Sequence, residues 1–142
     1  GGLNTFGYVE QNPLSFTDLL GLWRNPSDIY EDATRDARKS GFPGPHNGLQ
    51  DAYRHCLASC EMARENTAIV AQCLGWANEK KGDWMRNQQV GERQMDDFNN
   101  AVGVNLGRSA QSWQACRVAC MGAATSGGLQ TYQPGTTPGY WY

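Results

Sequence analysis

The sequence predicts an all-α fold, a compact bundle of about five helices, two of them joined by paired cysteines. After residue 22, alanine becomes frequent, and small or apolar residues recur at three- and four-residue steps, as on the buried face of a helix. Capping and breaking residues divide residues 23–142 into segments of helical length. A chain of 142 residues can bury one sizeable core, so we expect one compact domain.

Each helix is placed by its boundary signals. The first follows Asn25 and Pro26, a capping residue and a first-turn proline, and is predicted to run to about Ser40. After the loop GFPGPHNG, Asn47 is predicted to cap a second helix that begins near Leu49. Three more are predicted over residues 67–80, 92–106 and 109–124. The aromatic tail, GGLQTYQPGTTPGYWY, is rich in turn formers and is expected to be irregular or a small hairpin.

Four of the five cysteines form two matching Cys-x-x-x-Cys pairs, Cys56/Cys60 and Cys116/Cys120, while Cys73 stands alone. Each pair lies on one face of its helix, so two antiparallel helices can be joined twice, naturally as Cys56 with Cys120 and Cys60 with Cys116. A four-thiolate zinc site and buried free thiols are the alternatives, although structural zinc prefers Cys-x-x-Cys spacing in turns. The matched spacing favours disulfides, which persist in a periplasm or outside a cell.

The charge is nearly balanced. Glu10 and Asp18 account for the net charge of −2, so residues 23–142 are neutral overall. This argues against phosphate-backbone binding as the main source of affinity. The sequence has no run of about 18 apolar residues and no signal-peptide layout at its N-terminus, so we expect another protein to carry it if it is exported.

Polar side chains on two predicted helices form the candidate site. Asp51 and His55 are four residues apart, so they project from one helix face and can share a metal ion. One face of a later helix carries oxygen-bearing side chains and a glycine: Asp96, Asn99, Asn100 and Gly103. If the two faces meet, with Glu79 from the end of the helix between them, the predicted metal ligands are Asp51, His55, Glu79 and Asp96. These ligands suit Mg²⁺, Mn²⁺ or Ca²⁺.

Such an ion would polarise a phosphoryl oxygen and activate water, with Arg54 stabilising the developing negative charge. In a metal-free alternative, His55 is the general base, Asp51 orients it, and Asn99 and Asn100 hold the substrate. In a purely structural alternative, Asp51 pairs locally with Arg54 or His55, and the asparagines make helix-to-loop hydrogen bonds. His46 is interpreted as an ordinary loop residue, although loops often carry function.

The first 22 residues resemble the end of the Rhs/YD-repeat core. The matching residues are Gly2-Leu3-Asn4, Tyr8, Asn12-Pro13, Asp18 and Gly21-Leu22, and Leu19 stands where the motif has proline. In that family the motif, which here includes Asp18, is linked to self-cleavage after its last leucine, Leu22. The resemblance therefore implies two parts, the end of an Rhs core at residues 1–22 and a toxin domain at residues 23–142.

Residues 23–142 resemble a helical toxin domain found at the C-termini of polymorphic toxins. The shared motifs are DAYRH at 51–55, Asn78-Glu79, where the pattern has His-Glu, and MDDFNNAVG at 95–103. The resemblance implies an effector that the Rhs shell and a type VI secretion apparatus deliver into a target bacterium. It also implies a cognate immunity protein.

Three functions are carried forward. The leading hypothesis is a hydrolase that acts in the target periplasm on a phosphate-containing envelope substrate, either a lipid-linked wall precursor or a phospholipid. The second is a cytosolic RNase or DNase, with nucleic acid as its partner, which predicts reduced thiols and a basic groove. The third is a non-enzymatic membrane disruptor, which the polar composition makes the weakest.

Overall fold

Four helices and a two-stranded hairpin are found in the residues that the computed structural model describes, 24–66, 89–135 and 139–140. The helices are α1 (Pro26–Lys39), α2 (Leu49–Asn66), α3 (Val90–Gly107) and α4 (Trp113–Thr125). The hairpin pairs β1 (Gln130–Thr131) antiparallel to β2 (Gly139–Tyr140). The helical fold is confirmed, whereas residues 1–22 and the helix predicted over 67–80 lie outside the described ranges. Within those ranges no helix is long and apolar enough to cross a membrane.

Side-chain caps decide where two of the helices begin. Asn25 accepts a hydrogen bond from the Ser27 N–H at 2.9 Å, so α1 begins as predicted. The prediction that the last helix begins at residue 109 is wrong. The Ser112 hydroxyl accepts a hydrogen bond from the Ala115 N–H at 3.0 Å, and this cap starts α4 four residues later.

The central helix is α2, which packs against α1, α3 and α4. Small and apolar residues that recur at three- and four-residue steps along α2 are buried: Leu49, Ala52, Tyr53, Cys56, Cys60 and Ala63. Disulfides Cys56–Cys120 and Cys60–Cys116 join α2 to the antiparallel α4, with Cα–Cα distances of 5.9 and 5.8 Å. The predicted cysteine pairing is confirmed, and Cys73 lies outside the described residues.

A neighbouring side of α2 lies close to α3. Gly103 faces the Cys56 carbonyl group and Gly107 faces the Cys60 carbonyl group, so both glycines allow the two backbones to approach closely. Because these contacts follow the same order along both helices, α2 and α3 run parallel. The first half of α2 therefore lies beside the part of α3 that runs from Asp96 to Gly103, where the polar residues of both helices meet.

Candidate metal centre

Three side chains from α2 and α3 converge at one buried position. Asp51 and His55 lie one turn apart on α2, and Asp96 lies in the second turn of α3. His55 Nε2 is 3.3 Å from Asp96 Oδ1 and 3.7 Å from Asp51 Oδ1. One potential ligand atom from each residue lies within 4.8 Å of the other two. The two polar faces inferred from the sequence therefore meet, and three of the four predicted metal ligands lie together.

A second contact orients the His55 ring. Its Nδ1 is 3.2 Å from Asn100 Oδ1, and the Ser59 hydroxyl donates a hydrogen bond to the same oxygen at 2.9 Å. We therefore assign the amide oxygen as the acceptor and Nδ1 as its protonated donor, so that Nε2 is the ring nitrogen that faces the carboxylates. Metal-binding histidines are typically oriented in this way, with the distal N–H donated to a protein oxygen.

Arg54 is the cation next to this cluster. Its guanidinium pairs with Asp51 Oδ1, lies 3.4 Å from His55 Nε2 and packs over the Tyr30 ring at 5.2 Å. The local Asp51–Arg54 pairing that the sequence left as a structural alternative is therefore present. It is compatible with a catalytic role, because an arginine held beside the reacting groups can stabilise charge that develops on a substrate.

The loop before α2 places a second imidazole beside Asp51. The Asn47 N–H donates a hydrogen bond to Asp51 Oδ2 at 2.6 Å, so the carboxylate of α2 holds the loop. The prediction that the Asn47 side chain caps α2 is wrong, since its Oδ1 accepts no hydrogen bond within the described residues. His46 Nδ1 is 3.8 Å from Asp51 Oδ2, and His46 Nε2 is 3.4 Å from Glu92 Oε1. Sequence reasoning treated His46 as a loop residue and missed Glu92.

Asn99 is committed to the hairpin. Its Nδ2 donates to the Gln130 carbonyl oxygen at 2.9 Å, and its Oδ1 accepts from the Gln130 N–H at 2.8 Å. This is the helix-to-loop pairing considered as the structural alternative. Because both ends of the amide are engaged in a fully buried position, Asn99 positions the hairpin and Asn100 is the asparagine that contacts His55.

The site lies inside a region shared with other proteins. Residues 25–126 match DUF6973, a domain of unknown function, over more than half of the chain. The chain belongs to the DUF6973 family. The DUF6973 region begins at the N-cap of α1 and ends just after α4, so it contains Asp51, His55 and Asp96. No solved structure matches the chain.

The donor set of this DUF6973 domain fits a hard or borderline divalent ion. The cluster offers two carboxylates and one imidazole nitrogen, the ligands such ions take in proteins. The charges of the Asp51 and Asp96 carboxylates and of the Arg54 guanidinium sum to one net negative charge. A divalent cation would be attracted to this charge, and the buried position would strengthen the attraction.

Several residues that the sequence analysis predicted to be functional lie outside the residues that the structure describes. They are Asp18, Leu22, Asn78 and Glu79. The predicted fourth ligand, Glu79, and the cleavage after Leu22 therefore stay predictions.

Proposed function

We propose that this chain is the C-terminal toxin of an Rhs-type polymorphic toxin and that it hydrolyses a phosphate-containing substrate of the bacterial envelope. One observation supports the proposed hydrolase activity. Two helices bring together three buried side chains, Asp51, His55 and Asp96. Ionisable groups are costly to bury, so three together in one place indicate a binding or catalytic site more strongly than any one alone.

Each side chain has a role in this reaction. Asp51, His55 and Asp96 would hold a divalent cation, which polarises the phosphoryl oxygen and favours attack by water. Hydrolysis joins the water oxygen to phosphorus and breaks the bond between phosphorus and the leaving-group oxygen, which takes up a proton. Arg54 would stabilise the negative charge that develops on the phosphoryl oxygens. Asn100 holds the His55 ring in the orientation that presents Nε2.

The cysteines support action in the periplasm. Disulfides between α2 and α4 form and persist in oxidising compartments, and α2 is also the helix that carries Asp51 and His55. The delivery route and the immunity protein come from the Rhs resemblance of residues 1–22. The envelope offers two phosphate-containing substrate classes, lipid-linked wall precursors and phospholipids.

Expression of the chain in a susceptible bacterium, with and without a periplasmic export signal, tests the compartment. We expect loss of viability only with export, followed by release of phosphorylated fragments from wall precursors or phospholipids. Killing only without export would overturn the envelope proposal and favour the nuclease hypothesis. In that case cellular RNA or DNA should be degraded.

The paired substitution Asp51→Asn with His55→Gln tests the chemistry. Both changes nearly preserve side-chain volume, so the helical circular dichroism should remain while killing is lost. Undiminished killing by the folded double variant would overturn the hydrolase proposal, and membrane depolarisation by that variant would favour the non-enzymatic disruptor.

A further inference from the structure

The two carboxylate oxygens of Asp51 face two different imidazoles. Oδ1 is 3.7 Å from His55 Nε2, and Oδ2 is 3.8 Å from His46 Nδ1. These are the only two histidines among the 142 residues of the chain. The carboxylate itself is almost fully buried, at 3% exposure, whereas His46 lies at the surface. Asp51 therefore connects an interior nitrogen ligand with one that solvent and substrate can reach.

Both imidazoles are oriented from α3 by the same kind of contact. The nitrogen of His55 that points away from Asp51 meets Asn100 Oδ1 at 3.2 Å. The corresponding nitrogen of His46 meets Glu92 Oε1 at 3.4 Å. A carboxylate that accepts the distal N–H of a histidine is a common support for metal binding by the other ring nitrogen. Each imidazole thus presents one nitrogen toward Asp51 and uses the other to contact α3.

The loop that carries His46 is tightly held. A Cβ at Gly48 would lie 2.5 Å from the Gly44 Cα, so this close turn requires glycine at both ends. Asn47 adopts a positive φ of 61°, and its carbonyl oxygen accepts a hydrogen bond from the Tyr132 N–H at 2.9 Å. Backbone strain held in place by surrounding hydrogen bonds often occurs at binding sites.

The same turn contains an unsatisfied oxygen. Asn47 is only 8% exposed, and its buried Oδ1 accepts no hydrogen bond within the described residues. A buried amide oxygen without a donor is unfavourable, and an ion or an ion-bound water beside it would satisfy it.

From these contacts we propose that Asp51 bridges two divalent cations, one held with His55 and Asp96 and the second with His46. The inference rests on the proposed function, because the first ion occupies the cluster described above. It adds a second ion at the exposed side of Asp51, with His46 Nδ1 and Asp51 Oδ2 as protein ligands and Glu92 orienting the ring. Sites with two cations about 4 Å apart are typical of phosphoester hydrolysis, since the pair contacts both the attacking and the leaving oxygen.

This arrangement narrows the substrate class. Two cations that share one carboxylate would offer two neighbouring coordination positions, one on each ion, which suit the paired oxygens of a phosphate ester. A carboxylic ester or a glycosidic bond lacks such a pair of anionic oxygens. The substrate would therefore be bound through its phosphate group.

Titration of the full chain with Mn²⁺, followed by calorimetry and electron paramagnetic resonance, tests the second ion. We expect two bound Mn²⁺ and a spin-coupled signal, because the ions share a carboxylate. In His46→Gln one Mn²⁺ should remain and the coupling should vanish. In Asp51→Asn neither ion should bind tightly. Asp97→Ala, which alters an exposed carboxylate next to Asp96, is the matched control and should retain both ions.

The outcomes separate this inference from the proposed function. A wild-type chain that binds only one Mn²⁺, which is retained in His46→Gln and lost in His55→Gln, would overturn the second site and leave the hydrolase proposal intact. No Mn²⁺ binding to the folded wild-type chain would overturn both the two-ion site and the metal-dependent mechanism. Two ions that both survive His46→Gln would place the second ion elsewhere and overturn the role of His46.

Discussion

Gly103 of α3 lies so close to Cys56 of α2 that a Cβ at position 103 would come within 2.2 Å of the Cys56 carbonyl oxygen. The neighbouring atom is main chain, so no side-chain rotation can relieve the contact. The polar cluster lies beside this contact, because His55 precedes Cys56 and contacts Asn100 one turn before Gly103. The spacing between the two helices therefore sets the distance from Asp51 and His55 on α2 to Asp96 on α3.

Replacement of Gly103 by alanine should force α2 and α3 apart. We expect a loss of about 1–3 kcal/mol in the free energy of unfolding, the range for overpacking a close interface. Gly122→Ala is the matched control, because Gly122 is exposed in α4 and nothing lies within 4 Å of an added Cβ. That substitution should stabilise by about 0.5–1 kcal/mol. Urea denaturation measures both, and equal effects would contradict the close-packing account.

Replacement of Asn99 by alanine should loosen the hairpin. The change leaves the partly buried N–H and carbonyl groups of Gln130 without their Asn99 partners, at a cost of about 1–3 kcal/mol. Amide hydrogen exchange at Gln130 should accelerate, whereas Asn105→Ala, at an exposed position of the same helix, should leave it unchanged. Unchanged exchange at Gln130 in Asn99→Ala would show that the amide does not hold the hairpin.

The two disulfides should contribute non-additively. Removing Cys60–Cys116 by alanine substitution leaves Cys56–Cys120, which closes a loop of nearly the same length, with separations of 56 and 64 residues. We expect a cost of about 1 kcal/mol for either disulfide alone and about 4 kcal/mol for both, which is more than the sum of the two single losses. Urea unfolding of the single and double disulfide variants measures this. Two single losses that add up to the double loss would contradict the shared-loop argument.

Stability should fall in alkaline solution through Tyr53. Burial, and next the nearby Asp36 carboxylate, raise the pKa of Tyr53 to about 12, although Arg117 acts in the opposite direction. The unfolded phenol ionises near its ordinary pKa of about 10, so between about pH 10 and 12 the folded chain binds more protons than the unfolded chain. The free energy of unfolding should then fall by about 1.4 kcal/mol per pH unit from this group.

Comparison with Tyr53→Phe isolates that contribution, because other groups titrate equally in both chains. Urea unfolding at about pH 9 and about pH 11.5 should show the wild type losing stability relative to Tyr53→Phe. Parallel losses in the two chains would show that the Tyr53 phenol does not titrate differently on unfolding.

Much of the fold could be predicted because local sequence determines it. The i, i+4 spacing of the cysteines on two helices allows few pairings other than Cys56–Cys120 and Cys60–Cys116. The same spacing places Asp51 and His55 on one face of α2. The sequence alone could not establish that this face meets α3. That contact depends on the close approach of the α2 and α3 backbones at Gly103 and Gly107, which a single sequence does not reveal.

The differences between the predictions and the structure have physical causes. Asn99 lies on the same face as Asp96, but its amide pairs with Gln130, and a contact across 31 residues leaves no local signal. Glu92 was missed because its partner His46 lies in a loop whose geometry depends on the Gly44–Gly48 turn. Ser109 and Ser112 are both suitable caps, and only the observed hydrogen bond distinguishes them.

The most direct measurement is the viability of a susceptible bacterium that expresses the exported chain with either Asp96→Ala or Asp97→Ala. The two carboxylates are adjacent on α3, but Asp96 is buried beside His55 and Asp97 is exposed. We expect cells to survive Asp96→Ala and Asp97→Ala to kill as the wild type does, with equal amounts of folded protein. Equal killing by both variants would contradict the claim that the Asp51, His55 and Asp96 cluster is the active site.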